Sequence, residues 1–115
     1  MGTLRYGASE YACSVADRTL AHLQIVIITK LRHGESFCYS CTGEDGRAIT
    51  LWLSPMIPLR FEFAESSPIP INRAWLSALE RAANTVNGLW AVDEPVPAQQ
   101  PSGSLPAREF AGVRR

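Results

Sequence analysis

The sequence DRTLAHLQIVIITKLRHGESFCYSCT, residues 17–42, decides the fold of this chain, because it contains the one long apolar segment. Its leucines and isoleucines recur at three- and four-residue steps at Leu20, Leu23, Ile27 and Leu31. That period is typical of one face of an α-helix. Three more apolar residues widen the stripe to nearly the whole circumference: Ile25, Val26 and Ile28. The segment is therefore predicted to be a largely buried helix.

Both ends of this helix are marked in the sequence. Asp17 has a side chain suited to the N-cap, where a carboxylate accepts hydrogen bonds from unpaired backbone N–H groups. Gly34 follows the basic residues Lys30, Arg32 and His33, and glycine readily adopts the left-handed conformation that ends helices. We therefore predict that this helix forms the centre of the core.

Segments of alternating apolar and polar residues surround the helix, and such alternation is typical of half-buried strands. In chain order they occupy residues 4–6, 11–15, 37–42, 49–53 and 59–63. A second helix is predicted from an N-cap at Asn72 to a stop at Gly88, followed by a short strand over residues 89–92. The predicted order of elements is ββαβββαβ.

This order predicts a single α+β domain over residues 1–93, with one mainly antiparallel sheet of five or six strands and both helices on one face. Five apolar side chains are expected to share its core: Leu20, Leu23, Ile27, Phe61 and Leu79. Residues 94–115 are rich in proline, glycine, serine and glutamine, a composition that buries too little apolar surface to fold. They are expected to form a flexible tail, in which residues 105–113 are either a short docking motif or unselected sequence.

Composition excludes several classes of function. The 11 basic and 11 acidic residues give a formal net charge of zero, so no global field attracts nucleic acid or acidic lipid. We expect no secretory signal, and no apolar run approaches the roughly 18 residues of a membrane span. Cys13, Cys38 and Cys41 lack the spacing of a disulfide framework and are expected to be reduced. The sequence therefore predicts a cytoplasmic protein without a membrane partner.

No residue pattern predicts a catalytic centre or a cofactor. Cys38 and Cys41 have the Cys-x-x-Cys spacing of a metal or redox site, which Cys13 or a histidine would have to complete. Because residues three apart in a strand point to opposite faces, this pair is a weak candidate for metal ligation, and two structural cysteines are the alternative. His22 is either a base oriented by Asp17 or, as we expect, a surface or capping residue.

The outward face of the predicted sheet offers a binding surface. Arg5, Trp52 and Arg60 fall on the side that an antiparallel sheet often leaves in water. A tryptophan flanked by arginines is able to stack a nucleobase or to anchor a protein partner. The alternative is that neighbouring arginine and glutamate side chains simply cover Trp52.

Four stretches of the chain carry a resemblance to a known family: MGTLRYG, DRTLAHLQIVIITKLRHGESF, ITLWLSPMIPLRF and INRAWLSALERAANTVNGLW. Together they resemble a family of short actinobacterial proteins of unknown function, whose members often bear the label ATP-dependent DNA ligase. The resemblance spans residues 1–95 and implies no established catalytic residues. Its label implies a role in DNA repair.

The residues argue against ligase chemistry in this chain alone. DNA ligases attack ATP with the lysine of a Lys-x-Asp-Gly motif. The one Asp-Gly pair here is Asp45-Gly46, with Gly43 in the place of the nucleophile, while Lys30, the only lysine, lies in the first helix. We therefore expect no ligase activity from this chain alone.

The sequence thus predicts a small non-catalytic binding or adaptor domain with a protein partner. The alternative, implied by the label, is an accessory domain of DNA repair that binds nucleic acid through the outer sheet face. A small enzyme or metal protein that uses the cysteines and histidines is the third hypothesis.

Overall fold

The computed structural model describes residues 1–7, 12–43 and 45–96. Within them, eight elements follow one another: β1 (Gly2–Tyr6), β2 (Ala12–Val15), α1 (Asp17–Arg32), β3 (Phe37–Thr42), β4 (Ala48–Leu53), β5 (Leu59–Glu62), α2 (Arg73–Ala83) and β6 (Leu89–Trp90). The predicted α+β class and the order ββαβββαβ are confirmed. The second helix is shorter than predicted, since it ends at Ala83.

The strands form two three-stranded sheets, so the prediction of one sheet of five or six strands is wrong. The first sheet has the order β2-β1-β5 and is antiparallel throughout. The second has the order β4-β3-β6, with β4 antiparallel and β6 parallel to β3. The proline-containing connection over residues 54–58 is the cause, because it carries the chain away from β4. The carbonyl of Pro58 accepts a hydrogen bond from the N–H of Gly7 at 2.7 Å, which brings β5 to β1 instead.

One core serves both sheets. Helix α1 contacts α2 and β1, while α2 also contacts β3 and β6. The core includes Leu20, Leu23, Ile27 and Leu79, with Phe61 packed against it, so the predicted shared core is confirmed. However, Ile25 and Ile28 each keep 38% of their surface exposed. Helix α1 is therefore buried on one side and open on the other.

Asp17 does not cap its own helix, contrary to prediction. Ala16 occupies the N-cap position, and it supplies no side-chain hydrogen bond. The Asp17 carboxylate instead accepts hydrogen bonds from the backbone N–H groups of Ala64 at 3.2 Å and Glu65 at 3.1 Å. Asp17 thereby ties the segment after β5 to the start of α1. Asn72, in contrast, caps α2 with its side chain as predicted.

A disulfide between Cys13 in β2 and Cys41 in β3 joins the two sheets. The Cα atoms are 6.4 Å apart, within the usual range for a disulfide. The expectation of three reduced cysteines is therefore wrong for this pair, and Cys38 is left as the free thiol. The sequence did not indicate the bond, because its partners are 28 residues apart and lie in different sheets.

Glu94, which directly follows the predicted domain limit at residue 93, contacts α1. Its carboxylate accepts hydrogen bonds from Nε of Arg18 at 2.9 Å and from Nη2 at 2.6 Å. The first residue of the predicted tail is thus held against α1. Residues 97–115, including the possible docking motif at 105–113, lie outside the described residues.

Candidate binding surface

Two of the three predicted binding residues, Arg5 and Arg60, are direct partners across β1 and β5. Their side chains flank one carboxylate: Nε of Arg5 lies 3.0 Å from one oxygen of Glu62, and Nε of Arg60 lies 2.7 Å from the other. The hydrogen bond from Arg5 is the main reason that the pKa of Glu62 is lowered. The single carboxylate of Glu62 therefore neutralises one of the two guanidinium charges, and the cluster of three side chains keeps one net positive charge.

Trp52 lies on the other sheet, in β4, whereas the two arginines lie on β1 and β5. Its side chain is 60% exposed, and the ion pairs of Arg5 and Arg60 are made with Glu62 on the first sheet. The hypothesis that arginine and glutamate side chains cover Trp52 is therefore wrong. The hydroxyl of Tyr6 donates a hydrogen bond to the backbone carbonyl of Trp52, which links the sheets without covering the indole.

A second exposed tryptophan, Trp90, lies on the same side of the second sheet as Trp52. Ser40 in β3 pairs with Trp90 in β6 and with Thr50 in β4, while Cys38 pairs with Trp52. Paired residues project from the same side of a sheet, as do alternate residues of one strand. Five residues therefore form one surface, here called the tryptophan face: Cys38, Ser40, Thr50, Trp52 and Trp90.

The tryptophan face is aromatic at its two edges and polar without charge between them. Trp52 is 60% exposed and Trp90 is 50% exposed. They lie two strands and two residues apart, which places their Cα atoms about 12 Å from each other at ordinary sheet spacings. Between them, the hydroxyl oxygens of Ser40 and Thr50 are 3.4 Å apart. A single extended segment is long enough to contact both indoles.

A cavity of about 390 Å³ lies beside Trp90, where the two sheets meet. Its walls include Ser14 of β2, Ser40 and Thr42 of β3, and Ala91 after β6. Cavities of this size are in the range that holds small ligands or a side chain. The tryptophan face therefore adjoins a recess at one of its edges.

The direction of Trp90 depends on a close approach of the chain to β3. Gly88 has a φ of 81°, and a Cβ atom there would lie 2.6 Å from the carbonyl oxygen of Cys38. Leu89 is fully buried, and Nε1 of Trp75 donates a hydrogen bond to the carbonyl of Val92 at 2.7 Å. The sequence predicted a short strand over residues 89–92. It did not predict Trp90 as a site residue, because the outward direction of the Trp90 side chain follows from the pairing of β6 with β3. The sequence did contain one signal of this close approach, namely Gly88 immediately before the apolar pair Leu89-Trp90.

His22 is fully buried, so the expectation of a surface role is wrong. Its ring lies against Trp75, with 4.3 Å between the ring centroids. The Asp17 carboxylate, which was the candidate partner for a basic His22, binds backbone N–H groups after β5 instead. The arrangement makes His22 a structural residue between the two helices.

Lys30 is also buried, with 7% of its surface exposed. Its Nζ donates a hydrogen bond to Oδ1 of Asn84 at 2.7 Å and lies 2.9 Å from a carboxylate oxygen of Glu35. The hydrogen bond from Lys30 lowers the pKa of Glu35. Nζ also lies 5.6 Å from the centroid of the Phe37 ring. These contacts engage the amine within the fold, beside Asn84, Glu35 and the Phe37 ring.

The two weak candidates for metal ligation, Cys38 and Cys41, are not brought together. Cys41 is bonded to Cys13, whereas Cys38 belongs to the tryptophan face. In the described part of the chain, no group of three or more histidine, cysteine, aspartate or glutamate side chains is placed to hold a metal ion.

The fold and the surface together define a small α+β domain with two linked sheets and a pair of exposed tryptophans on one of them. A family model described as a domain of unknown function, DUF7882, matches residues 1–94, and the chain belongs to this family. No curated protein and no solved structure matches the chain. Among the described helices, none is both long and apolar enough to cross a membrane. The family match supports the resemblance to proteins of unknown function, and it shows neither the ligase label nor an actinobacterial origin.

Proposed function

We propose that this chain is a small non-catalytic binding domain that holds a protein partner on its tryptophan face. The observation that carries the proposal is that Trp52 and Trp90 expose half or more of their surface on one side of one sheet. Tryptophan is enriched among the residues that dominate protein interfaces, because its large ring buries much apolar area and has few rotatable bonds. Two such anchors support a binding role.

The chemistry of the face favours an uncharged, apolar segment of polypeptide as the occupant. Aliphatic, aromatic or proline side chains of the partner would lie on the two indoles. The hydroxyls of Ser40 and Thr50 would pair with the partner's backbone, and the recess beside Trp90 would receive one of its side chains. Depletion of charge at the centre of an interface is typical of protein complexes.

Nucleic acid is the second candidate partner. It is favoured by the ability of the tryptophans to stack bases and by the ligase label borne by the proteins that this chain resembles. Binding to nucleic acid usually requires several lysine or arginine side chains that neutralise phosphates. The five residues of the tryptophan face include none, and Arg5 and Arg60 share the Glu62 carboxylate on the other sheet. The charge distribution therefore supports the protein partner over the nucleic acid.

Substitution of the two tryptophans tests the proposal. The full chain is used as bait in native cell extract, the captured partner is purified, and its affinity is measured by titration. Trp52→Ala and Trp90→Ala are each expected to weaken binding by about 10- to 30-fold, as for residues that dominate an interface. Met56→Ala is the matched control, because Met56 is a large apolar residue with 85% exposure outside the face. Equal binding by all variants would refute the proposal.

A titration with single-stranded DNA at several salt concentrations separates the two candidates. A protein partner predicts no tryptophan-dependent DNA binding. Binding that requires Trp52 or Trp90 and falls steeply with salt would replace the protein partner with nucleic acid.

We also propose a cytoplasmic location, which requires the Cys13–Cys41 pair to be mainly reduced in growing cells although the structure shows it bonded. Stable disulfides are rare in the cytoplasm of mesophiles. Alkylation of thiols in acid-quenched cells, before and after reduction, measures the oxidised fraction. Complete oxidation in growing cells would favour an oxidising compartment instead.

A further inference from the structure

A cleft of about 650 Å³ lies between α1 and the segment that connects β5 to α2, and it shares no lining residue with the tryptophan face. Ile25, Ile69 and Ile71 contribute apolar walls. Gln24, Glu65 and Ser67 contribute polar groups. Ile25 is 38% exposed and Ile71 is 43% exposed, so apolar surface on both walls of the cleft is left uncovered by the described residues.

The described chain ends near this cleft, beside residues that neighbour its walls. Glu94 is held by Arg18, and Nδ2 of Asn72 donates hydrogen bonds to Glu94 at 2.9 Å and to the carbonyl of Pro95 at 3.2 Å. Arg18 also donates to the carbonyl of Pro70 at 2.8 Å. Both partners of Glu94 lie close to residues of the cleft. Arg18 is about 10 Å along α1 from Ile25. Asn72 directly follows Ile71 in the chain. Residues after 96 therefore start beside the cleft.

The remaining sequence has the length and chemistry to reach the cleft and fill it. Residues 97–104, PAQQPSGS, contain no large apolar side chain and span up to about 25 Å when extended. Residues 105–113, LPAREFAGV, then contain the apolar residues Leu105, Phe110 and Val113. Arg108 lies among them and is complementary in charge to Glu65 of the cleft, while the adjacent Glu109 makes the segment neutral overall.

We propose that residues 105–113 of this chain dock in the cleft of the same molecule, with their apolar side chains on Ile25, Ile69 and Ile71 and with Arg108 beside Glu65. Because the linker is short, the effective concentration of the segment at the cleft is about 1 mM. At that effective concentration, an assumed intrinsic Kd of about 0.2 mM would leave roughly five chains out of six docked. This site is separate from the tryptophan face and does not rest on the proposed function.

Protection from trypsin tests the docking in the full chain. The rate of cleavage after Arg108 is compared by mass spectrometry with the rate in a synthetic peptide of residues 97–115. Cleavage in the full chain is expected to be about sixfold slower, since only the undocked fraction is cut. Ile25→Asp and Glu65→Gln are expected to bring the rate towards that of the peptide. Ile28→Asp is the matched control, because Ile28 has the same 38% exposure on α1 and does not line the cleft.

Equal rates in the full chain and the peptide would overturn the proposal. The same release by Ile28→Asp as by Ile25→Asp would also overturn it, because the protection would then not depend on the cleft. Protection that grows with protein concentration would contradict docking within one molecule and would indicate exchange between two copies. Thermal unfolding of each variant tests whether its fold is retained. We expect retention, because both isoleucines are partly exposed.

Discussion

Nε2 of His22 accepts a hydrogen bond from the backbone N–H of Asn72 at 2.8 Å, so a buried ring on α1 holds the residue that caps α2. Nδ1 of the same ring lies 2.7 Å from the carbonyl oxygen of Arg18, which can only accept. The two partners therefore place the ring proton on Nδ1. Both nitrogens of His22 are used within the fold, where they join the two helices.

His22→Ala is expected to lower the free energy of unfolding by about 2 to 4 kcal/mol, because it opens a cavity beside Trp75 and leaves the Asn72 N–H without its acceptor. Urea unfolding followed by circular dichroism measures the change. His33→Ala is the control: it removes the other histidine, which is exposed at the end of α1, and should change stability by less than about 0.5 kcal/mol. Similar effects of both substitutions would contradict a structural role specific to His22.

Gly88→Ala is expected to destabilise the protein by more than about 2 kcal/mol, since it combines a left-handed backbone with a Cβ atom 2.6 Å from the Cys38 carbonyl oxygen. Gly34→Ala separates these causes, because Gly34 has a φ of 77° but nothing within 4 Å of the added atom. It should cost about 1 kcal/mol. Chemical denaturation compares the two, and equal losses would show that contact with β3 is unimportant.

Glu94 should make stability depend on pH in the acid range. The hydrogen bond from Arg18, followed by that from Asn72, lowers the pKa of Glu94 from 4.5 to about 2. A lowered pKa in the folded state stabilises the fold above pH 4.5, and this contribution is lost as the pH falls towards 2. Glu94→Gln should therefore be less stable than wild type at pH 7 and should approach it near pH 2.

Thermal unfolding between pH 2 and 7 measures this convergence for Glu94→Gln, with Glu80→Gln as the control on the exposed surface of α2. The difference should shrink in 1 M salt, because the ion pair is partly exposed. A gap between Glu94→Gln and wild type that stays constant across the whole pH range would show that the carboxylate charge is not its cause.

The Cys13–Cys41 bond closes a loop of about 28 residues, and loop-closure entropy predicts a stabilisation of about 3 to 4 kcal/mol. The double variant Cys13→Ser with Cys41→Ser should lose this amount. Reducing agent should destabilise wild type and leave the double variant unchanged. Cys38→Ser is the control, because Cys38 is the free thiol. Insensitivity of wild type to reduction would mean that the bond does not restrain the two sheets.

Lys30 should not form a covalent adenylate, because its amine is buried and engaged by Asn84 and Glu35. Nucleophilic attack on ATP requires an amine that has lost its proton and reaches the α-phosphate. Purified protein is incubated with labelled ATP and magnesium or manganese, then denatured and examined for bound label. Label on wild type that disappears in Lys30→Ala would restore the ligase hypothesis.

Local sequence patterns determined the elements of this fold. Apolar spacing of three and four residues located α1, alternation located the strands, and Asn72 and Gly34 marked helix ends that the structure confirms. These features depend on side chains within a few residues of each other, so their physical causes are present in any short stretch of the sequence. For the same reason, the membership of the shared core could be predicted from the inner stripes of the two helices.

The partition into two sheets, the Cys13–Cys41 bond, the burial of His22 and the outward direction of Trp90 were decided by the tertiary structure. Each joins residues distant in the chain: His22 meets Asn72 across 50 positions, and Trp90 takes its direction from Ser40. Such contacts depend on the path of the chain, in which the proline-containing connection places β5 beside β1 and the segment after α2 places β6 beside β3. Local propensity carries no information on which distant partner a strand will find, because pairing depends on the path of the whole chain.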